Sequence, residues 1–178
     1  MAMLAAGRAP RGSPAPGGES DALPERVGLY LLKDGRYIPL AVEPADWRPS
    51  VWGGVTTVGT VTKTTLKAIM QTPASPTQLS GNLEFLLVCP AGVTESEYHL
   101  LRAEENKKGR EFKAEFQVLD DGSHVALGGK GRNKIRFPAE EVAAGRFKLK
   151  LPEPGKGEFA FLPPTKDLSG KVYTFGVQ

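Results

Sequence analysis

The chain has few of the residues that build reactive or metal-binding centres. Among 178 residues there is one cysteine, Cys89, and there are two histidines, His99 and His124. A single thiol forms no internal disulfide, which excludes a disulfide-stapled scaffold. Cys89 follows Leu86-Leu87-Val88 and precedes Pro90. It reads as a buried thiol at a strand end, because a catalytic thiol needs a neighbouring base and an electropositive setting. The histidines have no partner at metal-ligand spacing, so no structural zinc site is expected and both read as ordinary polar positions. A Gly-x-Ser-x-Gly nucleophile elbow is missing. So is any apolar run near the roughly 20 residues that span a bilayer. The longest near-continuous apolar stretch lies at residues 83–89, interrupted by Glu84, and is of strand length.

Two patterns resemble functional motifs and fail on their spacing. The loop Gly128-Gly129-Lys130-Gly131-Arg132 has His124 where a phosphate-binding loop needs its first glycine, and Gly131 where it needs Ser or Thr. The dinucleotide pattern fails as well, with Lys134 in place of the third glycine. A flexible basic hairpin loop is the reading that remains. The adjacent carboxylates Asp120/Asp121, Glu104/Glu105 and Glu140/Glu141 point to opposite faces if they lie on strands, which is unsuited to an acid/base dyad. Asp120-Asp121-Gly122-Ser123 is turn chemistry without the later acidic ligands of a calcium loop. No catalytic residue, cofactor or metal is assigned on these patterns.

What the chain does have is charge of uneven sign. Residues 1–100 carry 8 Lys+Arg and 9 Asp+Glu, and residues 101–178 carry 15 and 11, for a formal net charge of +3. The basic excess concentrates between Gly128 and Lys150, in Lys130, Arg132, Lys134, Arg136, Arg146, Lys148 and Lys150. Alternation puts Lys134 and Arg136 on one strand face, and Arg146, Lys148 and Lys150 on another. If the two strands pair, five cations share one surface and would attract an anionic partner such as lipopolysaccharide, acidic glycan, an anionic lipid head group or an acidic protein. The competing reading is a solvated face that discourages edge-to-edge aggregation. Nucleic acid fits less well, since aromatics do not alternate with these cations. Trp47 and Trp52 flank Arg48-Pro49-Ser50-Val51. Exposed, they would stack on a sugar ring; buried, they would seal one end of the domain.

Residues 1–24 are rich in Ala, Gly and Pro and too poor in bulky apolar groups to offset their ordering entropy. They read as a flexible tail, disordered or ordered by a partner, ahead of a domain at 25–178. Met1–Gly7 is too short for a signal core and lacks a basic flank, so a signal sequence would begin upstream.

The rest is punctuated as an antiparallel β protein. Residues 27–32 and 37–40 pair across Asp34-Gly35; residues 55–60 and 62–70 are β-branched; residues 71–82 form a polar loop; residues 83–89 make a central strand. Residues 94–109 allow two readings. Thr94-Glu95-Ser96-Glu97 matches a capping box for a helix ended by Gly109, while the clean alternation of Phe112, Ala114, Phe116 and Val118 favours a hairpin of 98–105 with 110–119. Residues 138–144 suit one helical turn stopped by Gly145, and Arg146–Leu151 alternates fully. Nine or ten short strands without a long amphipathic helix predict an all-β antiparallel sandwich, Ig-like or jelly-roll-like.

The opening Gly28-Leu29-Tyr30-Leu31-Leu32-Lys33-Asp34-Gly35 and the closing Gly157-Glu158-Phe159-Ala160-Phe161 with Lys171-Val172-Tyr173-Thr174-Phe175-Gly176-Val177 resemble uncharacterised bacterial exported proteins with a β-sandwich domain. The resemblance covers the strand ends of the domain. It implies the fold and a periplasmic or cell-surface location, and it transfers no catalytic residue. The function expected is a non-catalytic binding or structural module, not an enzyme: an accessory subunit of a larger, possibly cell-envelope assembly, with a protein partner or self-assembly. A carbohydrate-binding module using Trp47 and Trp52 is the alternative, and a hydrolase without a recognisable motif is the third.

Overall fold

The computed structural model describes residues 22–50, 55–58, 61–106, 109–129, 133–151, 153–165 and 169–178. Most of the predicted tail (1–21), Trp52, Lys130 and Arg132 lie outside them. Seventeen strands follow one another among the described residues. The first are β1 (Gly28–Lys33), β2 (Arg36–Pro39), β3 (Val42–Asp46), β4 (Arg48–Pro49), β5 (Thr56–Val58) and β6 (Val61–Met70). Next come β7 (Gln78–Leu79), β8 (Leu83–Val88), β9 (His99–Arg102), β10 (Glu104–Asn106), β11 (Gly109–Val118) and β12 (His124–Gly129). The last are β13 (Lys134–Ile135), β14 (Ala139–Ala143), β15 (Arg146–Leu151), β16 (Gly157–Leu162) and β17 (Ser169–Val177). A 3-10 turn spans Glu95–Glu97, and no helix among the described residues is long and apolar enough to cross a membrane.

The strands form three sheets. The first runs β14-β15-β8-β1-β2. The second runs β13-β9-β16-β17-β3, with β7 parallel to the end of β17. The third runs β10-β11-β6-β4, with β12 also on β11 and β5 on β6. Apart from β7, every pairing is antiparallel. Two apolar cores separate the sheets. One joins Leu29, Leu83, Phe85, Leu87 and Leu149 of the first sheet to Leu100, Phe159, Phe161 and Phe175 of the second. The other joins Leu101, Ala160, Leu162 and Val172 of the second sheet to Leu66, Ala68, Phe112, Ala114 and Phe116 of the third.

The second sheet is therefore a middle layer, packed on both faces. Its sequence shows why. Successive strand residues point to opposite faces, and Leu100-Leu101 or Phe159-Ala160-Phe161-Leu162 offer an apolar group to each side. The large rings go to the first core, where Phe159 stacks on Phe175 at 5.2 Å and Phe85 meets Phe161 edge-on at 5.7 Å. Smaller side chains go to the second, opposite Phe112 and Phe116.

Several expectations hold. Asp34 and Gly35 both take positive φ, 51° and 72°, in the two-residue turn between β1 and β2, the combination that matches strand twist. Residues 83–88 lie at the centre of the first sheet. Others are corrected. Only β10 joins the 98–105/110–119 hairpin, pairing Glu104–Asn106 with Gly109–Glu111. His99–Arg102 belongs to the middle sheet instead, because Leu100 and Leu101 each need an apolar neighbour on their own side. The capping box is real but closes a single 3-10 turn, with the Thr94 amide donating to Glu97 Oε1 at 3.0 Å. The helical turn at 138–144 is an edge strand, β14, bulged between Glu141 and Ala143; ladder bonds to β15 override the helix propensity of Ala and Glu. The polar loop at 71–82 contains β7.

The start of the domain is tied down on the outer face of the first sheet. Arg146 Nε donates to the Pro24 carbonyl at 3.1 Å, and the Tyr30 hydroxyl donates to the Arg26 carbonyl at 2.9 Å.

The Phe cluster sets the stability of the first core. Phe161 is fully buried, and Phe161→Ala should cost about 3–5 kcal/mol through lost transfer energy and the cavity left behind. Urea unfolding reads this as a lower midpoint with unchanged slope; a cost below about 1 kcal/mol would mean the two layers do not depend on the ring.

Candidate functional site

The described basic residues divide between two layers of the sheet stack. β13 pairs with β9 in the middle sheet, whereas β15 lies between β14 and β8 in the first. The five-cation surface expected from a pairing of these strands is thus corrected: the strands belong to different layers. Register completes the separation. Lys134 stands opposite Leu101, on the face turned toward the third sheet. Lys148 and Lys150 stand opposite Leu86 and Glu84 on the outer face of the first sheet.

The two sets also differ in their partners. Lys148 Nζ lies 2.8 Å from Glu84 and faces Glu140 across the ladder. This pairing raises the lysine's pKa and lowers that of Glu84. Lys150 sits in register with the same Glu84. Arg146 is turned onto the Pro24 carbonyl. Lys148 is thus compensated by carboxylates, while Arg146 is anchored on a neutral carbonyl. Lys134 and Arg136 are exposed and form no ion pair among the described residues.

Lys134 and Arg136 line a groove of about 420 Å³ between β9, the 3-10 turn and the chain leading into β14. Tyr98, Leu100, Ile135 and Phe137 supply its largely apolar lining, and His99 and Glu95 also line it. His99 is half-buried and bonds the Ala126 carbonyl through Nε2 at 3.1 Å. Only a protonated nitrogen bonds a carbonyl, so Nε2 carries the hydrogen and Nδ1 is the acceptor. Burial holds the imidazole below its ordinary pKa; the Ala126 bond opposes this and Lys134 adds to it. At neutral pH the groove charge is therefore Lys134 and Arg136 against Glu95.

A second polar centre was not anticipated from the sequence. Arg110 on β11 is buried, and its guanidinium bonds Glu43 of β3 through Nη2 at 2.8 Å. Nε donates to the Thr72 carbonyl at 3.0 Å, Nη2 also donates to the Thr72 hydroxyl at 2.7 Å, and Nη1 lies 3.5 Å from Glu158 of β16. Thr174 of β17 donates its hydroxyl to Glu43, so the Ser75 hydroxyl, 3.0 Å away, donates to Thr174. Ser75 N–H and Gln78 Nε2 donate to Glu158 at 2.7 and 3.1 Å. The network fastens the third sheet and the 72–78 loop to the middle sheet. A signal for it exists: Arg110 shares the period-two phase of Phe112, Ala114 and Phe116, so it points inward and needs an acid there.

The remaining candidates carry less. Trp47 is buried (3% exposed) with its ring 5.4 Å from Phe116, so it presents no free face for a sugar; the seal reading describes it. Cys89 is buried in the first core, and burial, followed by Glu95 and Glu97, pushes its thiol up to about 11, which keeps it protonated and unreactive. His124 opens β12 beside the Asp121 turn, where Asp121 Oδ1 accepts from Ser123 N–H and Oγ. No three His, Cys, Asp or Glu side chains among the described residues are grouped to hold a metal ion. No family model, curated protein or solved structure matches this chain.

Removing Arg110 would leave Glu43 without its cation in a mostly buried setting. Arg110→Ala should cost about 3–5 kcal/mol in chemical denaturation, and Arg110→Met combined with Glu43→Gln should cost less than Arg110→Ala alone. His99 supplies a pH dependence of defined sign. Its folded pKa lies below the unfolded value, so the unfolded chain binds more protons, and the contribution present above about pH 6.5 is lost as pH falls through the folded pKa. The stability lost between neutral and mildly acidic pH should be smaller in His99→Gln, which keeps a donor for Ala126; an equal loss in both proteins would remove His99 from the account.

Proposed function

We propose that this chain is a non-catalytic binding module whose β13 groove meets an anionic partner, an acidic glycan in the first instance, as an accessory subunit of a larger exported assembly. The observation that carries the reading is the pair Lys134 and Arg136: two exposed cations without a carboxylate partner among the described residues, on the rim of an apolar-lined groove. Cations without an ion-pair partner, in net excess over Glu95 beside an apolar floor, favour a partner with both an anionic group and a nonpolar face, as a uronate ring has. The inert thiol of Cys89 and the bonded imidazole of His99 support a role without chemistry. The exported location rests on the strand-end resemblance. The layered sheets are read as an elaborated sandwich, in which edges and end loops are the surfaces left for contact.

An oligogalacturonate is a suitable probe for calorimetric titration. Binding should be saturable and weaken with added salt. Lys134→Ala with Arg136→Ala should lower affinity about tenfold, roughly the sum of two exposed ionic contacts. Lys148→Ala with Lys150→Ala should leave it unchanged. If both pairs weaken binding equally, the attraction is diffuse and the groove is not the site. Light scattering on the full chain reads the assembly half: a strict monomer that also ignores the probe would sink the proposal.

A further inference from the structure

We infer that a second, separate cleft in this protein is a binding site for a small carboxylate-bearing ligand, anchored by Arg102. The cleft encloses about 580 Å³ at the end of the middle sheet, where β9 crosses to β10, and its charged lining is Arg102, Glu104, Arg110, Lys156 and Glu158. A volume of this size falls within the range of small-molecule sites.

The charges in the lining are not equally free. Arg110 is held by Glu43 and Glu158. Glu104 is held by Lys113 and by Asn133 Nδ2 at 2.8 Å. Glu158 accepts from Ser75 and Gln78 besides Arg110. Arg102 and Lys156 have no carboxylate partner among the described residues. The uncompensated charge of the cleft is therefore positive, and it is concentrated at Arg102 and Lys156.

Arg102 is also preorganised. Its guanidinium carbon lies 5.7 Å from the centroid of the Phe159 ring, and Nη2 donates to the Lys156 carbonyl. The ring and the carbonyl fix the plane and the rotation of the fork, so little side-chain entropy remains to be lost on binding. Nη1 makes no bond among the described residues, leaving it and the second Nη2 hydrogen as a two-point edge matched to a carboxylate. Gly157 makes room for this placement. A Cβ there would come within 3.2 Å of Arg102 Nε and 3.3 Å of Nη2, and the backbone φ of +150° is itself one that side chains rarely adopt. Lys156, exposed at the rim, adds a second positive charge without fixed geometry.

Titration by backbone-amide NMR, with citrate, glutamate and galacturonate as separate probes and inorganic phosphate as the comparison, tests the assignment on the full chain. At least one carboxylate should bind saturably with a dissociation constant tighter than about 10 mM, with shifts at Arg102, Lys156 and Gly157. Arg102→Ala should abolish binding. Arg102→Lys, which keeps the charge and loses the fork, should weaken it about tenfold or more. Lys134→Ala with Arg136→Ala should leave it intact, which separates this site from the β13 groove. The inference is overturned if none of the carboxylates binds, if Arg102→Lys binds as the parent does, or if phosphate binds more tightly than every carboxylate. Should Arg102→Ala fail to fold, the Arg102→Lys comparison decides alone.

Discussion

At its centre, in β9 and β16, the middle sheet has no solvent face, and most of the architecture follows from that constraint. A sheet packed on one side can alternate apolar and polar residues; a sheet packed on both sides cannot. Its strands must be apolar at consecutive positions, as β9 and β16 are, and each neighbour must supply a complementary layer. The first sheet answers the Phe159, Phe161 and Phe175 side with Leu29, Phe85, Leu87 and Leu149. The third answers the Leu101, Ala160 and Val172 side with Leu66, Phe112 and Phe116. Close packing of this kind leaves no room for polar chemistry between layers, so ionisable groups are pushed to the ends and edges of the strands.

Arg110 marks where the apolar layering stops. At its own end of β11 the inward position is an arginine rather than an aromatic, and the middle sheet meets it with Glu43, Glu158 and Thr174. Such a cluster is poor evidence of net stabilisation, because desolvating three charges offsets much of their attraction. Its effect is on specificity. An arginine with several oriented acceptors accepts only one register of β11 against β3 and β16, whereas leucines would tolerate a slip. The same bonds reach Thr72 and Ser75 and fix the loop that carries β7 to the end of β17. The glycines follow from this crowding. A Cβ at Gly176 would lie 2.3 Å from Gln78 Nε2 and 2.4 Å from Glu158 Oε1.

Much of the fold was legible because its signals are local. The Asp34-Gly35 turn, the alternation in Phe112–Phe116 and Arg146–Leu151, and the apolar run at 83–88 each act over a few residues, and each appears in the structure as read. What was not legible depends on choices between partners. His99–Arg102 and Glu104–Asn106 are nearly contiguous, yet they enter different sheets, and nothing within either segment names its partner. β13 and β15 have similar basic alternation, but their hydrogen-bonded neighbours put their cations on different faces. The site residues divide in the same way. Lys134 and Arg136 are visible as charge, while Arg102 is an unremarkable arginine until β16 brings Phe159 beneath it and the chain brings Lys156 beside it.

The distinction between a structural and a ligand-facing cation in this protein is one of saturation rather than of burial. Arg110 is the most buried cation, and every nitrogen of its guanidinium meets an acceptor. Lys148 is only partly buried, yet it has Glu84 within 2.8 Å. Arg102 is also partly buried, but its planar group is fixed by an aromatic ring and a single carbonyl, neither of which neutralises it. A fixed charge without a counter-charge is unfavourable in the empty protein and is relieved when an anion arrives, so it is the arrangement that converts binding into a gain. Lys134 and Arg136 satisfy the same criterion with less rigidity, as suits contact with a larger and less sharply defined partner. By this measure both proposed contacts fall at the two ends of the middle sheet and neither falls on its packed faces.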